Sequence, residues 1–165
     1  MYFLEEIERI KTEKSKDKIK IFVDMDGVIA DYRFGEAVNI KSNKTGTYLN
    51  KRPIKTTIEN LRKLSNNLDI ELYIISSCLF KEQAKEKNIW LDNYANFFKY
   101  ENRIYIIADD FEARKQLKVD KIKEYMNSIK DTLTILIDDT HDILALAQKQ
   151  LGESFLPIHV ITLID

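Results

Sequence analysis

IFVDMDGVIADY, residues 21–32, joins an apolar run to an acidic turn that contains a glycine. Residues 19–24 are short, apolar and rich in branched side chains, which is typical of a buried strand. Asp24, Asp26 and Gly27 follow directly, and Asp and Gly favour a turn. The stretch therefore predicts a buried strand that delivers two carboxylates at its carboxyl end.

Beyond this strand, helical and strand patterns alternate along the chain. Helical spacing of apolar residues occupies 56–66, 80–97, 119–129 and 142–151, and strand-like runs occupy 71–76, 103–107, 133–138 and 158–163. This alternation predicts an α/β, Rossmann-like fold with a mostly parallel five-stranded sheet flanked by helices. Residues 1–18 read as a separate amphipathic helix that packs on the body or meets a partner, and residues 19–165 as the main domain.

Composition limits the class of partner. The chain has 26 basic and 27 acidic residues spread along its length, so we expect no strong nucleic-acid binding and favour small phosphorylated substrates. No apolar run approaches the length that spans a bilayer, which predicts no membrane association. A single cysteine, Cys78, cannot form an internal disulfide, and a cytoplasmic location is the expectation.

Polar residues follow two further strands, where an α/β sheet binds its ligands. The second strand ends in Ser76 and Ser77, and the fourth ends in Asp138 and Asp139. The carboxyl ends of neighbouring parallel strands meet, so these groups should converge on the aspartates of the first turn. Carboxylates that meet in one place repel one another unless a cation is present, and Mg²⁺ prefers hard oxygen ligands. The pattern therefore predicts a magnesium site at this edge.

In the order and spacing of these groups the chain resembles the haloacid dehalogenase (HAD) superfamily of phosphohydrolases. The segment IISSCLFKEQAKEKNIWLDNY, residues 74–94, contains a Lys-x-x-Trp-Leu element, Lys87 to Leu91, that resembles the 5′(3′)-deoxyribonucleotidase group. The resemblance extends from about residue 19 to the end of the chain. It implies a Mg²⁺-dependent phosphomonoester hydrolase that acts most readily on (deoxy)nucleoside monophosphates.

The resemblance also implies a role for each residue. Asp24 would be the nucleophile that forms an aspartyl-phosphate, and Asp26 the general acid and then base. Asp26 would offer the metal its backbone carbonyl, while Asp24 and Asp138 bind through their side chains and Asp139 supports them. Gly27 would allow the sharp turn between them. The groups expected to contact the phosphate are a serine pair and a helix lysine: Ser76, Ser77 and Lys87.

One further lysine should pair with Asp24 and the phosphate from the helix before the fourth strand. Lys115, Lys118 and Lys121 all lie there. Lys118 is favoured, because Lys118-Val-Asp followed by Ile122 resembles the pattern common in such proteins.

Simpler interpretations exist for each motif. A DxDG string can be a calcium loop or a plain turn, although the residues after Gly27 lack the acidic positions of an EF-hand. Asp138 and Asp139 can cap a helix, Lys87 can be a solvated charge, and Trp90 is expected to pack in the core or rim rather than on a base.

Substrate choice should depend on a small cap at about residues 32–57. Its aromatic and cationic side chains suit a nucleoside monophosphate: Tyr32, Phe34, Tyr48, Lys51 and Arg52. They equally suit another small phosphometabolite, and an open site suits phosphate ends of nucleic acids or proteins. A non-catalytic phosphate-binding regulatory protein is a further alternative, as is a homodimer formed through the N-terminal helix.

Overall fold

The computed structural model describes residues 2–32, 48–127 and 131–163. Five helices and five strands are assigned within these ranges, apart from two short 3-10 turns. In chain order they are α1 (Tyr2–Glu13), β1 (Lys18–Val23), α2 (Lys55–Leu64), β2 (Ile70–Cys78), α3 (Lys81–Tyr94), β3 (Arg103–Ile107), α4 (Phe111–Asn127), β4 (Thr132–Asp138), α5 (His141–Leu151) and β5 (Phe155–His159). The 3-10 turns are Tyr100–Asn102 and Val160–Leu163.

The described strands form one sheet with the order β3-β2-β1-β4-β5, and every pairing is parallel. This confirms the α/β, Rossmann-like fold with a five-stranded sheet flanked by helices. The strand order reverses between β1 and β4, which are paired from Lys18↔Thr132 to Val23↔Ile137. Such a reversal leaves a crevice beyond the carboxyl ends of the two strands, where ligands bind in α/β folds.

Alternation along the strands divides the core into two layers. Ile19, Ile21 and Val23 of β1 pack against α1, α2 and α3 on one face. Phe22 points to the opposite face and joins the residues that α4 and α5 bury. The same alternation at the strand ends decides which helix each site residue meets.

Two predicted elements were wrong at their boundaries. The helix expected at 119–129 begins at Phe111, because its first turns are held by polar contacts rather than by apolar periodicity. The Asp110 side chain accepts a hydrogen bond from the Ala113 N–H at 2.8 Å and so caps it. Residues 128–130 lie outside the described ranges.

The strand expected at 158–163 is instead β5, Phe155–His159, and the chain then enters a 3-10 turn. Pro157 lies inside this strand, opposite Leu136. β5 is the last strand of the sheet, and an edge strand tolerates a proline because one side of its backbone needs no partner.

The ends of the expected cap are tied to the body. Ala30 and Pro53 form an antiparallel bridge, and Asp31 N–H donates to the carbonyl of Arg52 at 2.8 Å. The last expected cap residues, from Lys55 on, belong to α2. Residues 33–47, including Phe34, lie outside the described ranges.

The N-terminal helix packs on the body. Phe3 and Ile7 are buried in the same core cluster as Leu61 of α2, and Ile7 is 1% exposed. Lys11 Nζ lies 2.9 Å from Asp69 Oδ2, which adds a polar contact at the rim. The expectation that this helix packs on the body of the protein is therefore confirmed. None of the described helices is long and apolar enough to cross a membrane.

Truncation of Ile7 tests whether this docking stabilises the domain. Ile7→Ala should lower the free energy of unfolding by about 2–5 kcal/mol, because a buried side chain leaves a cavity. Thr12→Ala, on the exposed side of α1, should change it by less than about 0.5 kcal/mol. Equilibrium urea unfolding measures both, and equal small effects would contradict a docked helix.

Candidate active site

The acidic turn after β1 places two carboxylates on opposite sides of one loop. Met25 O accepts hydrogen bonds from the N–H groups of Ile29 and Ala30, and Gly27 N–H donates to the carbonyl of Ala30 at 2.9 Å. Gly27 has φ +79°, and a Cβ there would lie 2.1 Å from Asp139 Oδ2. A glycine is required both by the backbone conformation and by the close approach of a second carboxylate.

Asp24 pairs with α4 and β4. Lys118 Nζ lies 3.1 Å from Asp24 Oδ1 and 2.8 Å from Asp138 Oδ2, and Asp138 is fully buried. Burial, together with the charges of Asp138 and Asp26, raises the pKa of Asp24 to about 7 in spite of Lys118. The pKa of Lys118 is also raised, because its two carboxylates outweigh the effect of burial. Lys118 therefore offsets only part of the effect that burial has on the pKa of Asp24.

Asp26 turns to the other face of the sheet and meets two lysines. Lys87 Nζ lies 2.7 Å from its Oδ2, and Lys51 Nζ lies 3.0 Å from its Oδ1. Burial raises the pKa of Asp26, but the two ammonium groups more than offset this and hold it below its ordinary value. The two aspartates, two residues apart, thus have opposite electrostatic environments.

The serines after β2 take different positions. Ser76 is fully buried, and its Oγ accepts a hydrogen bond from Lys87 Nζ at 2.7 Å. Lys87 also donates to the carbonyl of Ser77 at 2.8 Å, and Ser77 lines the cavity. Ser76 therefore fixes the lysine, whereas Ser77 faces the open space.

Asp139 completes a group of three carboxylates. Asp24, Asp138 and Asp139 each offer one oxygen within 4.8 Å of the others. Burial and the charge of Asp138 raise the pKa of Asp139. Thr140 N–H donates to Asp138 Oδ1 at 2.9 Å, so Asp138 also orders the start of α5. This oxygen-rich group could hold a hard divalent cation.

A cavity of about 590 Å³ opens beside these residues. Its wall contains acidic, basic and apolar side chains, among them Asp24, Asp26, Tyr32, Tyr48, Lys51, Phe111 and Lys118. The volume lies within the range of small-molecule sites, roughly 300–1,000 Å³.

The three candidate lysines of α4 are separated by their partners. Lys118 is buried against Asp24 and Asp138, whereas Lys121 is half-exposed and pairs with Glu124. Lys115 pairs with Glu112 at 2.6 Å and reaches only the cavity wall. The expected pairing of Lys118 with Asp24 is observed, and its contact with phosphate stays a prediction.

Two other expectations concern α3. Lys87 is 2% exposed, so the alternative of a solvated helix charge was wrong. Trp90 is fully buried, and its indole N–H donates to the carbonyl of Lys51 at 2.9 Å, which confirms packing in the core.

The contact between Lys51 and Asp26 was not foreseen from the sequence. Lys51 was noted only as a cation of the cap, and the two residues are 25 positions apart. The signal that could have drawn attention to it is Trp90, because a buried indole N–H needs an acceptor and takes it from the Lys51 backbone.

Comparison with models of known protein families gave no match, and no curated protein sequence matches the chain. Interpretation of the site therefore rests on its geometry and on the motifs themselves.

Substitution of two glycines tests the close approach in the acidic turn. Gly27 and Gly152 both have positive φ, but a Cβ at Gly152 would meet nothing within 4 Å. Gly152→Ala should cost about 1–3 kcal/mol of stability through backbone strain alone. Gly27→Ala should cost more, since it also displaces Asp139. Equilibrium unfolding of Gly27→Ala, Asp139→Ala and the double variant should give non-additive losses, and strict additivity would argue against the contact.

Substitution of two lysines of α4 tests charge pairing. Lys118→Met leaves Asp24 and Asp138 without their ammonium partner and should destabilise the protein by about 3–5 kcal/mol at neutral pH. Lys121→Met removes only an exposed pair and should change stability by less than about 0.5 kcal/mol. Thermal and urea unfolding measure both, and similar losses would show that Lys118 is not the partner of the buried carboxylates.

Proposed function

We propose that the protein is a magnesium-dependent phosphomonoester hydrolase and that its preferred substrates are (deoxy)nucleoside monophosphates. The observation that carries this proposal is the unequal pairing of Asp24 and Asp26, which face one cavity from one turn. A carboxylate that attacks phosphorus from a metal site and a carboxylate that transfers protons need different partners, and these two have them. Without a cation or a substrate the pKa of Asp24 is raised and that of Asp26 is lowered. A divalent cation on the Asp24 cluster and a phosphate dianion next to the lysines of Asp26 would each shift the pKa in the direction that the role requires. The resemblance to HAD phosphohydrolases supports the same assignment.

The residues present fit a magnesium ion. The side-chain oxygens of Asp24, Asp138 and Asp139 are mutually close and are hard ligands. The backbone carbonyl of Asp26 would join them, because its side chain is held by Lys87 and Lys51. When bound, Mg²⁺ would reduce the repulsion between Asp24 and a phosphate dianion and favour in-line attack.

The first half-reaction transfers the phosphoryl group to Asp24. A carboxylate oxygen of Asp24 forms a bond to phosphorus as the bond from phosphorus to the ester oxygen breaks. In the free protein Lys87 and Lys51 lower the pKa of Asp26, so it first has to take up a proton. As the phosphate dianion draws these lysines away, Asp26 would accept a proton from solvent and pass it to the departing oxygen. Lys118 lies against Asp24 and holds the carboxylate in place, and the hydroxyl of Ser77 lines the cavity where phosphoryl oxygens would lie.

The second half-reaction releases phosphate. Asp26 takes a proton from water, the hydroxide attacks phosphorus, and the bond to Asp24 breaks. Asp26 has two ammonium partners in the protein without substrate, and a phosphate dianion would compete with it for them. Substrate binding would thereby free the carboxylate for proton transfer.

Substrate size and chemistry follow from the cavity. Its volume of about 590 Å³ suits a nucleoside monophosphate or a similar small phosphometabolite. Lysine side chains supply positive charge, and aromatic residues such as Tyr32 and Phe111 line the wall. A cavity of this volume takes up a small substrate as a whole, which supports small substrates over phosphate ends of nucleic acids or proteins.

A screen of phosphorylated metabolites with Mg²⁺ and with chelator tests the proposal. Phosphate release from nucleoside monophosphates should require Mg²⁺, and Asp24→Asn should reduce kcat by at least about a thousandfold, as expected for removal of a nucleophile. Asp120→Asn, on the exposed side of α4, serves as the control and should keep normal turnover. Absent or chelator-insensitive hydrolysis in the unsubstituted protein would refute the function.

A further inference from the structure

Tyr48 has a buried hydroxyl that the reaction described above does not use. The residue is 5% exposed and lines the cavity, and its hydroxyl makes no well-aligned hydrogen bond to a described residue, although the Asp26 carboxylate lies nearby. Buried polar groups in folded proteins are nearly always paired, so an unpaired hydroxyl in a cavity wall calls for a ligand atom. Thr57 has the only other unpaired buried side-chain oxygen found in the described ranges, and it does not line the cavity.

The ring of Tyr48 is fixed from several sides. Its backbone N–H donates to Glu86 Oε2 at 3.0 Å, and the ring meets Trp90 edge-on with centroids 6.4 Å apart. Lys87 Nζ and Lys51 Nζ lie 4.7 Å and 5.2 Å from the ring centroid. Cations at these distances stabilise a ring in place. These contacts involve the ring and the backbone of Tyr48, so they fix the position of the hydroxyl without using it.

This position is on the Asp26 side of the cavity. The two lysines against the Tyr48 ring are the ones that hold Asp26, whereas Asp24 pairs with Lys118 from the opposite face of the sheet. Asp26 is the group proposed to protonate the departing oxygen. Tyr48 therefore lies near the ester bond, where phosphoryl and alcohol oxygens both come close, rather than beside the attacking carboxylate.

The neighbouring polar groups determine which ligand atom fits. Both oxygens of Asp26 accept from lysines, and the ammonium groups of Lys51 and Lys87 are donors only. The phenol can donate its hydrogen. A ligand atom that enters among these donors must be an acceptor. The charged phosphoryl oxygens pair best with the ammonium groups of Lys51 and Lys87, which leaves the neutral phenol for an ether or hydroxyl oxygen near the ester bond.

We propose that Tyr48 is a specificity-determining residue whose hydroxyl donates a hydrogen bond to an oxygen of the leaving alcohol. The site then selects phosphomonoesters of oxygen-rich alcohols, such as sugar or nucleoside phosphates, over esters whose alcohol has no second oxygen. This inference rests on the proposed phosphohydrolase function. The Lys87-x-x-Trp90 element supports it structurally, because Trp90 holds the Lys51 backbone and the Tyr48 ring on one side of the site.

The test compares Tyr48→Phe with Tyr94→Phe on two substrates. Tyr94 also contacts Trp90, at a centroid distance of 5.0 Å, but is 40% exposed and is not among the residues that line the cavity. The substrates are a nucleoside 5′-monophosphate and phenyl phosphate, whose alcohol has no oxygen besides the ester oxygen. Tyr48→Phe should lower kcat/KM for the nucleotide about tenfold, as expected for one lost hydrogen bond, and leave phenyl phosphate within about twofold. Tyr94→Phe should leave both unchanged.

Two results would overturn the inference. Equal losses on both substrates would show that the hydroxyl contacts the phosphoryl group, and no loss on either would show that it contacts neither part. Thermal unfolding separates a structural role, because Tyr48→Phe removes an unpaired group and should not lower the melting temperature.

Failure of the proposed function is recognised separately, in the unsubstituted protein. If that protein hydrolyses neither substrate, calorimetric titration with ribose 5-phosphate and with inorganic phosphate replaces the kinetic comparison. Tyr48→Phe should then weaken only the binding of ribose 5-phosphate. Equal affinity of the unsubstituted protein and of Tyr48→Phe for ribose 5-phosphate would overturn the inference in this case too.

Discussion

Several carboxylates are buried at one edge of the sheet, and they can remain there only because lysines reach them. Asp24 and Asp138 share Lys118, and Asp26 holds Lys87 and Lys51. An unpaired buried charge costs several kcal/mol, so each of these lysines is a condition for the fold as well as part of the site. The pairing also explains why long cationic side chains are almost completely buried in α3 and α4.

The period of the β-strand decides which lysine meets which carboxylate. Asp138 follows the alternation of Leu136 and points to the face that α4 covers, where Lys118 lies. Ser76 follows Ile74 and points to the face that α3 covers, where Lys87 lies. Asp24 continues the alternation of Phe22 toward the α4 face, whereas the tight turn after β1, rather than strand alternation, brings Asp26 to the lysines on the other face. A shift of register by one residue would reverse these partners.

Much of this arrangement could be predicted from local sequence. The apolar run before Asp24 and the polar residues after β2 and β4 follow from the rule that parallel strands deliver ligands at their carboxyl ends. Lys118 could be preferred over Lys115 and Lys121 by its local pattern. The predicted boundaries of α4 and β5 were wrong for a common physical reason. The start of α4 depends on the Asp110 cap, and β5 depends on the tolerance of an edge strand for Pro157. Neither leaves an apolar period in the sequence.

The contacts of the cap left only an indirect signal in the sequence, the need of Trp90 for an acceptor. Lys51 and Tyr48 reach the site because Trp90, some forty residues later, supplies the packing surface and the indole N–H that hold them. A sequence pattern reports spacing along one element, whereas these contacts join a loop to a helix on another part of the chain. The contacts of such side chains could therefore be learned only from the structure.

The charges around the cavity bear on the role of a cation. Within the described residues, Asp24, Asp26, Asp138 and Asp139 converge with three lysines in ion-pair contact with them, Lys51, Lys87 and Lys118. This set has one more negative than positive group when all are ionised, and the charges of Asp138 and Asp26 add to burial in raising the pKa of Asp24. A phosphate dianion would add two further negative charges in a site of low dielectric, where repulsion is poorly screened. Binding of such a substrate next to an ionised Asp24 therefore requires positive charge beyond what these side chains supply, and a divalent cation on the three clustered carboxylates would provide it where the repulsion is greatest.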